Sequence, residues 1–228
     1  NPPGSTFKVV VASAALASGR FTADSVLPGP KTYQLPNSSK KLRNWTGKEC
    51  GPEGKITLRQ ALAISCNTAF AWLGNELGAA AIRDQAEAFG FNSGFEIPLR
   101  AATSLFPQDP DAPQTALSAI GQFEVRATAL QMAMVAASIG NSGRTMNPYL
   151  VQEIRGPDLS ILQTTEPSQF EDALKPSNSL SLTEMLVNVV ENGTGSNAKI
   201  AGVRVAGKTG TAQTGNDSPS VAWFISFA

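Results

Sequence analysis

The chain has 228 residues, 42% of them hydrophobic and 16% charged, a globular composition with material for one large domain or two small ones. Eighteen basic residues balance eighteen acidic ones, so the basic excess typical of a nucleic-acid or anionic-membrane surface is absent. There is no histidine, which excludes a Ser-His-Asp triad, a Cys-His dyad and a histidine-built metal site, and two cysteines are too few for a zinc cluster.

Residues 5–18 read as a helix that is apolar nearly all round and therefore central, with Gly19 placed to end it. Phe21 to Lys55 turns polar and loop-like. Thr57 is then placed to cap a helix over Leu58–Ile64, and two more helices fit Thr68–Leu77 and Ala79–Phe89, closed by Gly78 and Gly90. A proline-rich loop around Phe106–Pro110 precedes a helix over Ala127–Ile139. Pro148–Ile154 reads as a strand, and Leu180–Asn192 has helical spacing up to Gly193. Val203–Val205, Gly207–Gln213 and Val221–Phe227 read as closing strands. Helices in the middle with antiparallel strands at the end predict an α+β fold. No stretch reaches the roughly 18 apolar residues of a membrane span, and no signal peptide opens the chain.

Without histidine, an enzyme of this sequence must move protons with lysine, a carboxylate, tyrosine or cysteine. Ser5-Thr6-Phe7-Lys8 places a hydroxyl and an amine one helical turn apart at a helix start, where free backbone N–H groups and the helix dipole favour a developing oxyanion. A buried lysine of lowered pKa could take the serine proton directly. The tetrad alone is weak, because Ser38–Lys41 and Ser196–Lys199 also match it, and Ser5 could be an ordinary cap. Ser65-Cys66-Asn67 falls between two predicted helices, where it could aim a hydroxyl and an amide the same way or simply cap the second helix. Lys208-Thr209-Gly210-Thr211 lies on a late strand whose glycine leaves room for another backbone.

In this order the three elements form a set shared by penicillin-binding proteins and β-lactamases. Pro3–Lys8, Ile56–Leu58 with Ser65–Phe70, Ala119–Gln122 with Thr128–Ala133, Asn192–Gly195 and Gly207–Gln213 together resemble the class B penicillin-binding proteins, closest to their actinobacterial members. The resemblance covers the whole chain. It implies a penicillin-binding-protein/β-lactamase-like transpeptidase fold, an antiparallel sheet flanked by helices with an all-helical subdomain. The implied activity is a serine acyltransferase that crosslinks peptidoglycan stem peptides and is acylated by β-lactams. Ser5 would be the nucleophile, Lys8 its base, Ser65 a proton relay and Asn67 a holder of the substrate amide. Lys208 would supply positive charge and help polarise Ser65. Thr209 and Thr211, around Gly210, would bind the terminal carboxylate, with an oxyanion hole from the Ser5 and Thr211 N–H groups. No cofactor or metal is implied.

Two segments depart from the family pattern. Gly121-Gln122-Phe123 stands where relatives often read Gly-Gln-Gly, and Val221 stands where a histidine is expected ahead of Ala222. Partners implied are stem peptides, β-lactam antibiotics and cell-division or elongation proteins, at the extracytoplasmic face of the cell membrane through one N-terminal anchor outside this sequence. Against the family's domain, residues 1–228 are expected to lack N-terminal strands and the C-terminal strand and helix, and so to fold and react poorly alone. Cys50 and Cys66 either pair, pinning the Ser65–Asn67 turn to the preceding loop, or remain a surface thiol and a small buried apolar side chain. A β-lactamase or D,D-carboxypeptidase shares the nucleophile chemistry, but no glutamate opens the Glu-x-x-Leu-Asn segment with which class A β-lactamases activate water. A β-lactam sensor that binds without turnover is the remaining alternative.

Overall fold

A computed structural model describes residues 1–212 and 219–228. Its centre is helix α1, Lys8–Ala17, entered through a 3-10 turn over Gly4–Phe7. Lys8 through Leu16 are all buried, as an all-round apolar helix must be, and Gly19 leaves the helix at φ 69°. Helices α2 (Leu58–Ala63), α3 (Asn67–Leu77) and α4 (Ala79–Ala88) pack on it. Phe7, just ahead of α1, stacks on Phe106 with ring centres 5.7 Å apart and meets Phe91 edge-on at 5.5 Å, joining the helical region to the turn that starts α1.

Local capping chemistry sets the helix starts. The Thr57 hydroxyl accepts the Gln60 N–H ahead of α2, and the Thr128 hydroxyl accepts the Gln131 N–H ahead of α6, Ala129–Gly140. Between them lies α5, Ala112–Ser118, a helix not expected from the sequence. Asp111 and Gln114 close a reciprocal capping box there, with Pro113 in the first turn. Helix α7 spans Pro176–Asn192, starting four residues before the expected Leu180 because Pro176 occupies a first-turn position where a missing N–H costs nothing.

The strands β9 (Ala206–Ala212) and β10 (Val221–Phe227) pair antiparallel in unbroken register from Ala206–Phe227 to Ala212–Val221. Helix α7 packs on β9 and α6 on β10, while the Gly4–Phe7 turn packs against β9. All of β9 except Thr209 and Thr211 is therefore buried. The expected strand ends at Gln213, which lies outside the described residues.

Two expected strands are corrected. Val203–Val205 is not a strand: the Val203 N–H closes on the Ile200 carbonyl across a turn in which Gly202 has φ 76°, and Val203 makes only an isolated bridge. Pro148–Ile154 is not one either, since regular pairing begins at Glu153 and Leu150 is 74% exposed. Its apolar alternation does not report a buried face. Conversely, the polar stretch up to Lys55 holds short strands: β1 (Val26–Pro28) pairs β4 (Lys55–Thr57), and β2 (Thr32–Gln34) pairs β3 (Lys41–Arg43). Two further pairs join β5 (Arg144–Met146) to β8 (Gln169–Asp172), and β6 (Glu153–Arg155) to β7 (Ile161–Thr164). Runs this short carry no readable period. Among the described residues no helix is long and apolar enough to cross a membrane.

Cys50 and Cys66 form a disulfide, so the paired alternative holds. It joins the loop before β4 to the residue that precedes α3. A second fastening runs parallel to it. Buried Asn44 donates to the Pro30 and Lys48 carbonyls and accepts the Thr68 N–H, tying the loop after β3 to the first turn of α3. Replacing both cysteines by alanine should lower the unfolding free energy by about 3 kcal/mol, the chain-entropy value for a loop of this length, as read by denaturant titration of the full-length protein.

Candidate active site

Three distant segments meet by backbone contact at one cleft. Gly4, at φ 53°, donates its N–H to the Gly121 carbonyl at 3.0 Å. A Cβ on Gly4 would lie 2.5 Å from the Thr211 carbonyl oxygen, and one on Gly121 would lie 2.0 Å from the Gly4 oxygen. A Cβ on Gly210 would stand 2.9 Å from the Pro3 oxygen and 3.0 Å from the Thr6 nitrogen. The approaching backbone that Gly210 admits is thus the Ser5-bearing turn itself. That turn is braced by the Thr6 hydroxyl, which donates to the Pro3 carbonyl at 2.7 Å.

The cleft encloses about 750 Å³ and is lined by Ser5, Ser65, Asn67, Thr209, Gly210 and Thr211 among others. Lys8, the first residue of α1, is fully buried below it. Its Nζ donates to the Ser65 carbonyl at 2.9 Å, contacts Ser65 Oγ at 3.1 Å and donates to Asn67 Oδ1 at 2.7 Å. It also sits 5.6 Å from the centre of the Phe70 ring. Burial pulls the Lys8 pKa well below the ordinary lysine range, and the nearby charge of Lys208 pulls it further.

Ser65 is held in the left-handed region at φ 59°, a strained conformation for a residue with a side chain. That geometry breaks the chain between α2 and α3 and turns both Oγ and the carbonyl of Ser65 to one amine. Asn67 faces two ways, accepting a hydrogen bond from Lys8 Nζ with Oδ1 and donating one from Nδ2 to the Arg43 carbonyl at 3.1 Å.

Lys208 is fully buried on β9, and its Nζ donates to the Thr209 carbonyl at 2.9 Å. Desolvation pushes its pKa down to about 7. The amine that touches Ser65 is therefore that of Lys8, whereas Lys208 acts on the site as a nearby charge. The two rival tetrads lie elsewhere. Ser38–Lys41 occupies the exposed β2–β3 connection, and Ser196–Lys199 is a 3-10 turn whose Lys199 pairs with Glu191 at 3.3 Å. Among the described residues no group of three or more His, Cys, Asp or Glu side chains could hold a metal.

Several cleft residues carry no role in the sequence reading. Thr194 lines the cleft, and its hydroxyl lies 2.6 Å from that of Thr209. The signal for it is the preceding glycine, since a Cβ on Gly193 would lie 2.3 Å from the Ala63 oxygen. Phe123 also lines the cleft and has φ 61°, with its carbonyl held by Arg126 Nη1 at 2.8 Å. Phe123 thus holds a left-handed backbone conformation that favours glycine.

A family model described as the penicillin binding protein transpeptidase domain matches residues 1–228. The chain is 43% identical over 231 residues to a protein named peptidoglycan D,D-transpeptidase PbpA from Mycolicibacterium smegmatis, covering all of this chain and 47% of that protein. The same identity and coverage hold for PbpA from Mycobacterium tuberculosis. A solved ceftriaxone acyl-enzyme complex of penicillin-binding protein A from M. tuberculosis superposes with a TM-score of 0.95 at 43% identity, covering all of this chain and 52% of that one. A D,D-transpeptidase domain from Eggerthella lenta gives a TM-score of 0.88 at 34% identity, covering 99% of this chain and 57% of that one. The chain spans about half the length of the curated relatives it matches.

Two measurements test these constraints. Phe123→Gly should be more stable than Phe123→Ala by about 1 kcal/mol, because both remove the ring and only glycine relaxes at positive φ. The depressed Lys208 pKa sets a pH window. From about pH 7 up to the ordinary lysine value of ~10.4, the folded protein releases a proton that the unfolded chain keeps, so this group's contribution to stability rises with pH. Denaturant titrations should show the wild type gaining on Lys208→Met between pH 7 and 10, with no such gain between pH 5 and 6.

Proposed function

We propose that this chain, which belongs to the penicillin-binding protein transpeptidase domain family, carries the acyl-transfer centre of a peptidoglycan D,D-transpeptidase. The observation that carries the reading is the fully buried Lys8, whose amine is shared by Ser65 and Asn67 at the floor of a cleft that Ser5 lines. A lysine kept in water holds its proton at neutral pH and cannot act as a base. Burial and the Lys208 charge shift Lys8 in the direction that base chemistry requires.

In this reading Ser5 Oγ attacks the carbonyl of the penultimate residue of a donor peptide as its proton passes to the Lys8 amine in its unprotonated form. The oxygen of the tetrahedral intermediate gathers charge where the backbone N–H groups of Ser5 and Thr211 would meet it. Ser65 Oγ, 3.1 Å from Lys8 Nζ, carries the proton on to the leaving amine as the peptide bond breaks. The acyl group remains esterified to Ser5 until the amine of a second peptide attacks it and gives its proton back along the same path. A β-lactam enters at the first step, and opening of its ring leaves the same ester. The second hydrogen of Asn67 Nδ2 is available to the donor amide. Thr209 and exposed Thr211 would take the terminal carboxylate, with Lys208 beneath to balance its charge.

The names of the relatives and the acyl-enzyme complex of the M. tuberculosis protein support this activity. The Cys50–Cys66 disulfide supports an oxidising, extracytoplasmic location. That location, the N-terminal membrane anchor, the association with division or elongation proteins and the extra terminal strands and helix expected of the complete domain are parts of the same proposal. The pairing of β9 with β10 alone among the described residues supports the last of these.

The test is intact mass spectrometry of the full-length protein after incubation with benzylpenicillin, with peptide mapping. A persistent adduct on Ser5, absent from Ser5→Ala, is expected, and Lys8→Ala should slow its formation by about 10²–10⁴-fold. A transient adduct with accumulating hydrolysed drug would reassign the centre to a hydrolase.

A further inference from the structure

The rim of the cleft carries a cation that the acyl-transfer steps above do not use. Arg43 ends β3, is exposed and lines the cleft beside Trp45, while its carbonyl accepts the Asn67 amide. No carboxylate pairs with its guanidinium among the described residues. None of the described residues lining the cleft is acidic. Trp45 is 72% exposed, an unusual position for the largest side chain, yet it is anchored where its indole N–H reaches the Ile64 carbonyl at 3.4 Å. The wall that bears both residues is fixed by Asn44 and the disulfide.

We infer that Arg43 and Trp45 form a specificity subsite for an acyl donor with a second carboxylate, borne on a side chain N-terminal to the residue that acylates Ser5. The inference rests on the acyl-transfer reading. If Asn67 holds the donor's amide, the next group outward along the acyl part meets the residue hydrogen-bonded to Asn67, which is Arg43. The terminal carboxylate belongs to Thr209 and Thr211 on β9, so Arg43 is reserved for a different anion. A guanidinium takes a carboxylate through two parallel hydrogen bonds, and an exposed indole covers the aliphatic stretch leading to it.

The experiment compares two penicillins that differ by one side-chain carboxylate, benzylpenicillin and carbenicillin, with the full-length protein. The readout is the ratio of their second-order acylation rates at Ser5, carbenicillin over benzylpenicillin. Arg43→Ala should lower that ratio about tenfold, Arg43→Glu should lower it further, and added salt should lower it in the wild type alone. An unchanged ratio, even with both rates reduced, would overturn the inference and leave Arg43 only as a backbone support for Asn67. No Ser5 adduct with either drug in the wild type would instead overturn the acyl-enzyme reading, and this subsite with it.

Discussion

Everything at this cleft depends on one buried amine. Removing a lysine head group from water is costly unless its hydrogens find acceptors, and Lys8 finds three on the single turn between α2 and α3. Those bonds draw residues 57 to 59 positions away in sequence onto the first residue of the central helix. They satisfy the group without restoring full hydration. The amine is thereby held in place and made easier to deprotonate, and both effects come from burial.

A second constraint is the absence of side chains where the nucleophile turn meets its neighbours. Gly4, Gly121 and Gly210 let three backbones touch, and this main-chain packing positions the Ser5 turn. This explains why most of β9 is buried although, among the described residues, it pairs with β10 alone: α7 and the serine turn both pack on it. The charge of Lys208 is delivered from within that strand, and the Thr209 hydroxyl is held by Thr194 from the segment after α7.

Long elements were legible in the sequence because their signals are local. Thr57 caps a helix, Gly19 and Gly78 end helices, and β10 runs over the same residues as its apolar run. The capping box at Asp111 was equally local, but the surrounding prolines masked it. Three-residue strands such as β1 and β4 are defined by their partner and not by their own pattern, which single-sequence periodicity cannot see. At the site, the three motifs marked Ser5, Lys8, Ser65, Asn67 and Lys208, yet Ser38–Lys41 and Ser196–Lys199 match the first motif just as well. What separates them is burial, a property of the folded chain. Phe123 shows the opposite case, where a bulky residue adopts a left-handed backbone that its side chain disfavours.

The doubled fastening of the loop after β3 has a consequence for whatever enters. Asn44 and the Cys50–Cys66 bridge hold the same short segment to α3 from two sides, so the wall bearing Trp45 is pre-organised before any encounter. A ligand that settles against such a wall loses its own conformational freedom but forces no ordering on the protein. Differences in residence time among ligands at that rim then originate in the stiffness and shape of the ligand, and a rigid bicyclic nucleus has an entropic advantage there over a flexible peptide.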